Sequence, residues 1–130
     1  MVSSWLPFLY VGVGGFTGAT LRYSISLGLQ KYSIVLPYGT LLANFIGCFA
    51  IGIIVQIAEN TEILSPEARL FLATGFCGGL TTLSSMIFEL AQLLREGELF
   101  YGFVYFLVTF CGGFLSFYMG ILVIRMIFKY

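Results

Sequence analysis

The sequence predicts an all-α integral membrane protein with four transmembrane helices in one domain, residues 1–130. Only 9% of its residues are charged, against roughly 25% in a soluble domain, and 59% are hydrophobic. The uncharged runs cover residues 1–21, 32–58, 70–88 and 99–124. Each run approaches or exceeds the roughly 20 residues that a helix needs to cross a bilayer, so composition and run length predict the same class.

The four helices are placed on the uncharged runs, with short connections between them. In chain order, the predicted helices cover residues 5–29, 37–58, 67–94 and 100–128. The pair Ser65-Pro66 is typical of a helix start, and Gly97 is a stop signal between the last two helices. In the first helix, Gly14 and Gly18 have the GxxxG spacing that lets two helix backbones approach closely.

Orientation in the membrane should follow from the distribution of Lys and Arg. The predicted spans put three basic residues on each side, Arg22, Lys31 and Arg95 against Arg69, Arg125 and Lys129. Two interpretations stay open: subtle features fix one orientation, or copies insert both ways. We favour dual topology, because four short helices rarely enclose a polar path alone. Two opposed copies would pair as an antiparallel dimer with an isologous interface.

Composition argues against catalysis and against nucleic-acid binding. The chain has no histidine and no aspartate, which removes the commonest general base and the usual zinc ligands. Its net charge is zero and it has no basic cluster, so it lacks the electrostatic footprint of a nucleic-acid-binding protein. We therefore expect neither an enzyme nor a nucleic-acid partner; the lipid bilayer is the expected surroundings.

Small and polar residues are concentrated in the third predicted helix, where lipid cannot hydrogen-bond an irregular backbone. Gly78 and Gly79 have weak helix propensity, so we expect the helix to break there, in the middle of the membrane. A break frees backbone carbonyls, which need water, a hydroxyl or a cation as a partner. The hydroxyls that follow form a track toward Glu89 at helical spacing: Thr81, Thr82, Ser84 and Ser85.

Other polar residues lie within or near the predicted spans, where polar groups are costly and indicate function. Asn44, in the middle of the second helix, either bonds a neighbouring helix or presents an N–H donor to a passing anion. Arg22 either reaches the interface as a structural residue or attracts anions into a vestibule. We expect Glu89 to be partly buried and to pair with a hydroxyl or a tyrosine. Tyr105 can offer its hydroxyl to the same track.

Three segments together resemble the Fluc/CrcB family of fluoride channels. Residues 75–85, GFCGGLTTLSS, resemble the third-helix signature of that family. Residues 18–23, GATLRY, and 39–44, GTLLAN, are similar to its first two helices. The likeness covers nearly the whole chain and agrees with its size, four spans and balanced charges. The resemblance implies an antiparallel dual-topology homodimer in the prokaryotic plasma (inner) membrane, with two fluoride pathways.

The resemblance also implies which residues meet the ions. A central sodium ion would be held by the backbone carbonyls of Gly78 and Thr81 from both copies, in keeping with the preference of hard cations for oxygen. The residues that would border the fluoride pathway are Asn44, Thr82, Leu83, Ser84, Ser85, Met86 and Tyr105. Arg22 and Glu89 would have vestibule or structural roles.

Leu83 and Met86 depart from the family pattern, which usually has phenylalanine at both positions. Neither side chain has an aromatic ring with a positive edge. Three explanations stay open. The hydroxyls and Asn44 alone could form the pathway, or Phe76, Phe88 or another ring could replace the missing phenylalanines. Alternatively, the chain is the non-conducting partner of a heterodimer.

The expected function is a passive channel that lets fluoride leave the cytoplasm, which needs neither an ATP site nor a proton relay. The sequence contains no P-loop motif. One alternative is a small multidrug exporter, which also has four helices and dual topology but needs a membrane-buried carboxylate, typically in its first helix. The first helix here has none. A non-transporting assembly factor, the other alternative, would need no polar track.

Overall fold

In the computed structural model, residues 5–129 are described and form helices joined by short turns. The long helices follow one another, the third in two halves: Leu6–Leu29, Tyr38–Asn60, residues 66–80 with Leu83–Arg95, and Leu99–Phe128. The predicted start and stop signals of the third helix are confirmed. Ser65 Oγ accepts the Ala68 N–H at 3.1 Å, and Gly97 turns the chain with a φ of 77°.

Among the described residues, three helices are long and apolar enough to cross a membrane: Tyr38–Asn60, Pro66–Arg95 with both halves taken together, and Leu99–Phe128. The first helix has 24 residues, which is also long enough. Its hydropathy is lower because glycines, hydroxyl residues and Arg22 interrupt the apolar residues. An all-α fold with helices able to cross a membrane is therefore confirmed for the described residues, while a membrane crossing by the first helix stays a prediction.

The first helix packs directly on the N-terminal half of the third helix through glycines on both sides. A Cβ atom at Gly14 or at Gly18 would overlap a backbone carbonyl oxygen of the third helix. From the other side, a Cβ atom at Gly79 would lie 2.5 Å from the carbonyl oxygen of Gly15. The two backbones are therefore in contact, as the GxxxG spacing predicts.

The second helix packs mainly on the fourth helix in the same way. A Cβ atom at Gly52 or at Gly120 would overlap a backbone carbonyl oxygen of the facing helix. The C-terminal half of the third helix packs on the fourth helix through side chains instead. The buried core at this contact consists of Met86, Leu93 and Tyr105.

The N-terminal half of the third helix is not a regular α-helix. Leu70–Cys77 forms wide π-type turns, and the Gly78 N–H donates to the Ala73 carbonyl five residues earlier. Such turns are rare and are found frequently at functional sites. An unusual backbone therefore leads directly into the break.

The third helix is interrupted at Thr81 and Thr82, so the predicted break at Gly78 and Gly79 is wrong by a few residues. Gly78 has helical dihedrals, with φ −62° and ψ −37°. Thr81 and Thr82 are extended, with ψ values of 152° and 115°. Gly79 serves close packing on the first helix, while the break is stabilised from another helix, by Asn44.

Candidate functional site at the helix break

The side-chain amide of Asn44 binds both backbone polar groups of Thr82 in the break. The Thr82 N–H donates to Asn44 Oδ1 at 2.7 Å, and Asn44 Nδ2 donates to the Thr82 carbonyl oxygen at 3.4 Å. A side-chain amide can do this because it carries both a donor and an acceptor. Asn44 thus replaces hydrogen bonds that an interrupted helix loses inside an apolar protein.

Thr82 also starts the C-terminal half of the third helix. Its Oγ1 accepts the Ser85 N–H at 3.1 Å, as an N-cap does, and lies 3.3 Å from Ser84 Oγ. The first N–H groups of Leu83–Arg95 have no acceptor within their own helix, and the helix dipole adds partial positive charge there. The break therefore presents donors without formal charge, which suits a small anion.

The break also leaves backbone carbonyls without their helical donors. In an unbroken helix, the Gly78 carbonyl would accept from the Thr82 N–H, and the Thr81 carbonyl from the Ser85 N–H. Both donors are bound elsewhere. The Cys77 carbonyl differs, because it accepts two hydrogen bonds from Thr81. The Thr81 N–H donates to it at 3.0 Å and the Thr81 hydroxyl at 2.9 Å. The carbonyl oxygens of Gly78 and Thr81 are therefore available to a cation.

Arg22 reaches the break from the first helix. Its partly buried Nε donates to the Gly79 carbonyl oxygen at 3.1 Å. In an unbroken helix this carbonyl would accept from the Leu83 N–H, so the guanidinium replaces a lost helical donor. The contact gives Arg22 a structural partner at the break.

Glu89 joins three helices through its carboxyl group. Its Oε1 accepts the Thr40 hydroxyl at 2.7 Å, and its Oε2 accepts the Tyr105 hydroxyl at 2.8 Å. The predicted pairing of Glu89 with a hydroxyl or a tyrosine is confirmed. The sequence analysis missed Thr40, although it precedes Asn44 by four residues and so shares a face of the second helix with it.

A groove of about 630 Å³ opens beside the break, between the second, third and fourth helices. The polar side chains that line it are Asn44, Thr81, Thr82 and Thr109. Its walls are otherwise apolar, with aromatic rings from the fourth helix, Phe110, Phe114 and Phe117. This volume is in the range of small-ligand pockets, so the groove has ample room for an ion with water.

Leu83 and Met86 both line this groove but differ in burial. Leu83 is 66% exposed, whereas Met86 is 1% exposed and belongs to the buried core with Tyr105. The rings in the groove come from the fourth helix. Neither Phe76 nor Phe88 lines the groove.

The remaining predicted pathway and vestibule residues lie outside the groove lining: Ser84, Ser85, Tyr105, Arg22 and Glu89. The Tyr105 side chain is 1% exposed, and its hydroxyl proton is directed at Glu89. The structure thus separates the predicted residues into some that line the groove and others that do not.

Thr109 faces the groove but was not selected from the sequence. Its Oγ1 is buried and has no hydrogen-bond partner within residues 5–129. Burying an unpaired hydroxyl costs about 1–3 kcal/mol, so Thr109 Oγ1 is a polar group that the described residues leave unsatisfied. Helical spacing could have identified Thr109 from the sequence, because Thr109 follows Tyr105 by four residues and so shares a face of the helix with it.

Side chains do not form a metal site in the part of the chain that the structure describes. No group of three or more His, Cys, Asp or Glu residues lies together there.

The sequence matches the family described as CrcB-like protein, Camphor Resistance (CrcB), over residues 9–121. It is 48% identical over 120 residues to the fluoride-specific ion channel FluC of Chlorobium phaeobacteroides strain BS1, covering 92% of this chain and 94% of the relative. It is 50% identical over 113 residues to FluC of C. phaeobacteroides strain DSM 266, covering 87% and 88%. FluC of Clostridium novyi strain NT is 44% identical over 95 residues, covering 72% and 74%.

Proposed function

The chain belongs to the CrcB-like family, and from this we propose that it is a passive, fluoride-selective channel through which cytoplasmic fluoride leaves a prokaryotic cell. The relatives described above are named fluoride-specific ion channels. Among the described residues, three helices are apolar enough to cross a membrane, which agrees with a multi-pass membrane protein, and we place it in the plasma membrane. Passive flow uses the existing fluoride gradient and needs no enzymatic step.

The break that Asn44 holds open carries this proposal. Fluoride is small and strongly hydrated, so a selective path must replace its water with closely spaced donors. The amide of Asn44, the N–H groups at the start of Leu83–Arg95 and the hydroxyl of Thr109 are such donors, at or near one groove. None carries a formal charge, so each stabilises an anion without trapping it.

The working unit is proposed to be an antiparallel homodimer. In one chain the groove is open, and Leu83 at its edge is 66% exposed. A second copy in the opposite orientation would cover these apolar walls, and the balanced basic residues allow both orientations. Single-cysteine variants made in a cysteine-free background test this: a membrane-impermeant reagent should label half of the molecules from each side.

A structural sodium ion fits the chemistry of the break. The carbonyls of Gly78 and Thr81 have lost their helical donors, and a hard cation prefers uncharged oxygens of this kind. Two carbonyls from each of two copies would supply four ligands. When bound, sodium would supply a positive charge that holds the two interrupted helices together.

The departures at Leu83 and Met86 agree with a path of amide and hydroxyl donors. The aromatic rings that line the groove belong to Phe110, Phe114 and Phe117 of the fourth helix, and a ring presents a positive edge that could face an anion. Met86 packs in the core, so its first role is to support the start of the C-terminal half of the third helix.

Fluoride efflux from liposomes tests the function. Purified protein is reconstituted with internal fluoride and a potassium ionophore to carry the compensating charge, and a fluoride electrode records efflux. We expect rapid fluoride efflux that requires sodium, and no comparable chloride efflux from matched liposomes. Equal chloride efflux, or no fluoride efflux above protein-free liposomes, would contradict the proposal.

A further inference from the structure

We propose that Arg22 is a positioning residue for the sodium site and acts through the Gly79 carbonyl. This inference rests on the proposed function, because it concerns the cation that the carbonyls of Gly78 and Thr81 would bind. By binding the Gly79 carbonyl, Arg22 removes a neighbouring oxygen from those that a cation can reach. Arg22 thereby helps to determine which cation the site binds.

The position of Arg22 follows from the packing of the first helix. Gly15, Ala19 and Arg22 follow one another at intervals of four and three residues, so they share one face of the helix. A Cβ atom at Gly79 would lie 2.5 Å from the Gly15 carbonyl oxygen and 3.1 Å from the Ala19 nitrogen. The face that contacts Gly79 therefore ends in a guanidinium beside the break.

In the sequence, Gly79 lies between Gly78 and Thr81, the two residues whose carbonyls are assigned to sodium. All three lose a helical donor at the break, but the Gly79 carbonyl receives a new one, Arg22 Nε at 3.1 Å. Within residues 5–129, the Arg22 side chain donates one hydrogen bond, and its acceptor is this carbonyl. A bound donor fixes the direction of this peptide group and competes with any cation for its oxygen.

The preference of the site for sodium over potassium distinguishes a positioning role of Arg22 from a simple effect of its positive charge. Both cations carry one positive charge, so removing the Arg22 charge should change their affinities by a similar factor. A freed Gly79 carbonyl would instead change the number and spacing of oxygens, which matters differently for ions of different size. The ratio of the two affinities therefore reports positioning.

Thermal unfolding of the purified, full-length protein in detergent measures this ratio. The protein is titrated with sodium chloride or potassium chloride, with choline chloride keeping the ionic strength constant. The half-saturating concentrations for stabilisation give a potassium-to-sodium ratio. In R22M we expect this ratio to fall by about tenfold, the effect of losing one hydrogen bond to a charged donor.

Two variants complete the experiment. Arg69 Nη2 donates to the Ala58 carbonyl at 3.2 Å, which is also a hydrogen bond from a guanidinium to a backbone carbonyl but lies away from the break. R69M should therefore keep the wild-type ratio. R22K keeps the charge but loses the planar guanidinium, so its ratio should also fall. It tests the inference even where R22M does not fold.

The outcomes separate this inference from the proposed function. A sodium-selective wild type whose ratio is unchanged in folded R22M or R22K would overturn the role of Arg22 and leave the sodium site standing. A wild type that sodium and potassium stabilise equally would overturn the sodium site, and the role of Arg22 with it. Fluoride efflux, measured separately, tests the channel function.

Discussion

Asn44 holds Thr82 by two hydrogen bonds, one to its N–H at 2.7 Å and one to its carbonyl oxygen at 3.4 Å. The residues are 38 positions apart, and the contact fixes the second helix to the break in the third. It keeps Thr82 extended with its backbone paired inside an apolar protein. The same contact withdraws the donor that the Gly78 carbonyl would otherwise bind, so one side chain shapes both the proposed anion path and the proposed cation site.

Replacing Asn44 with leucine should abolish the fluoride path. N44L leaves the N–H and the carbonyl of Thr82 unpaired, at a cost of about 1–3 kcal/mol for each buried group. We expect a lower unfolding temperature and fluoride efflux close to that of protein-free liposomes. N60L is a matched control, because the Asn60 amide donates to the Gln56 carbonyl at the end of the same helix. Wild-type efflux from N44L would show that the path does not depend on this contact.

Replacing Thr109 with valine should reduce conduction without reducing stability. Its Oγ1 makes no hydrogen bond within residues 5–129, so T109V loses none there and keeps the shape of the side chain. If the hydroxyl donates to fluoride in the groove, efflux should fall by about tenfold, the loss of one hydrogen bond. T109S keeps the hydroxyl and should conduct like the wild type. A loss of stability in T109V with normal efflux would instead indicate a structural hydroxyl.

The Glu89 network should behave as one unit in unfolding experiments. T40V and Y105F each remove a hydroxyl that donates to the carboxyl group, and each should destabilise the fold by about 1.5–3 kcal/mol. In a double-mutant cycle with E89Q, the effects should not add, because all the variants disturb one shared group. Y101F, which changes an exposed tyrosine of the same helix, should be neutral. Additive effects would mean that the contacts are independent.

The glycines between the first and third helices should tolerate no side chain. G18A would place a Cβ atom into the Phe76 carbonyl oxygen, and backbone cannot move away as a side chain can. We expect a loss of about 1–3 kcal/mol or more in stability, measured by thermal unfolding in detergent. G12A lies on the same helix with no atom within 4 Å of its new Cβ, so it should be neutral or stabilising by up to about 1 kcal/mol. Equal behaviour of G18A and G12A would contradict the close packing.

Most of the helical architecture could be predicted from local information. Uncharged runs, the Ser65-Pro66 start and the Gly97 stop depend on residues near each other in the chain, and the helices begin and end close to the predicted residues. The four hydroxyls and the paired glycines of the third helix correctly indicated an irregular backbone. They did not indicate where it would break.

Only the tertiary structure decided the position and the contacts of the break. Gly78 and Gly79 suggested a break by their weak helix propensity, yet Gly79 is used for contact with the first helix. The interruption lies at Thr81 and Thr82, because the donor and acceptor that satisfy it come from Asn44 on another helix. Likewise, only packing shows that Met86 is buried while Leu83 is exposed.

By itself, then, the sequence determined that the chain is helical, with segments apolar enough to cross a membrane, and that polar groups are concentrated in the third helix. The tertiary structure decided which of those groups find partners and which are left for the proposed ions. The reason is physical. Helix formation and membrane partitioning depend on neighbouring residues, whereas the pairing of a buried donor or acceptor depends on atoms that distant parts of the chain bring within about 3 Å.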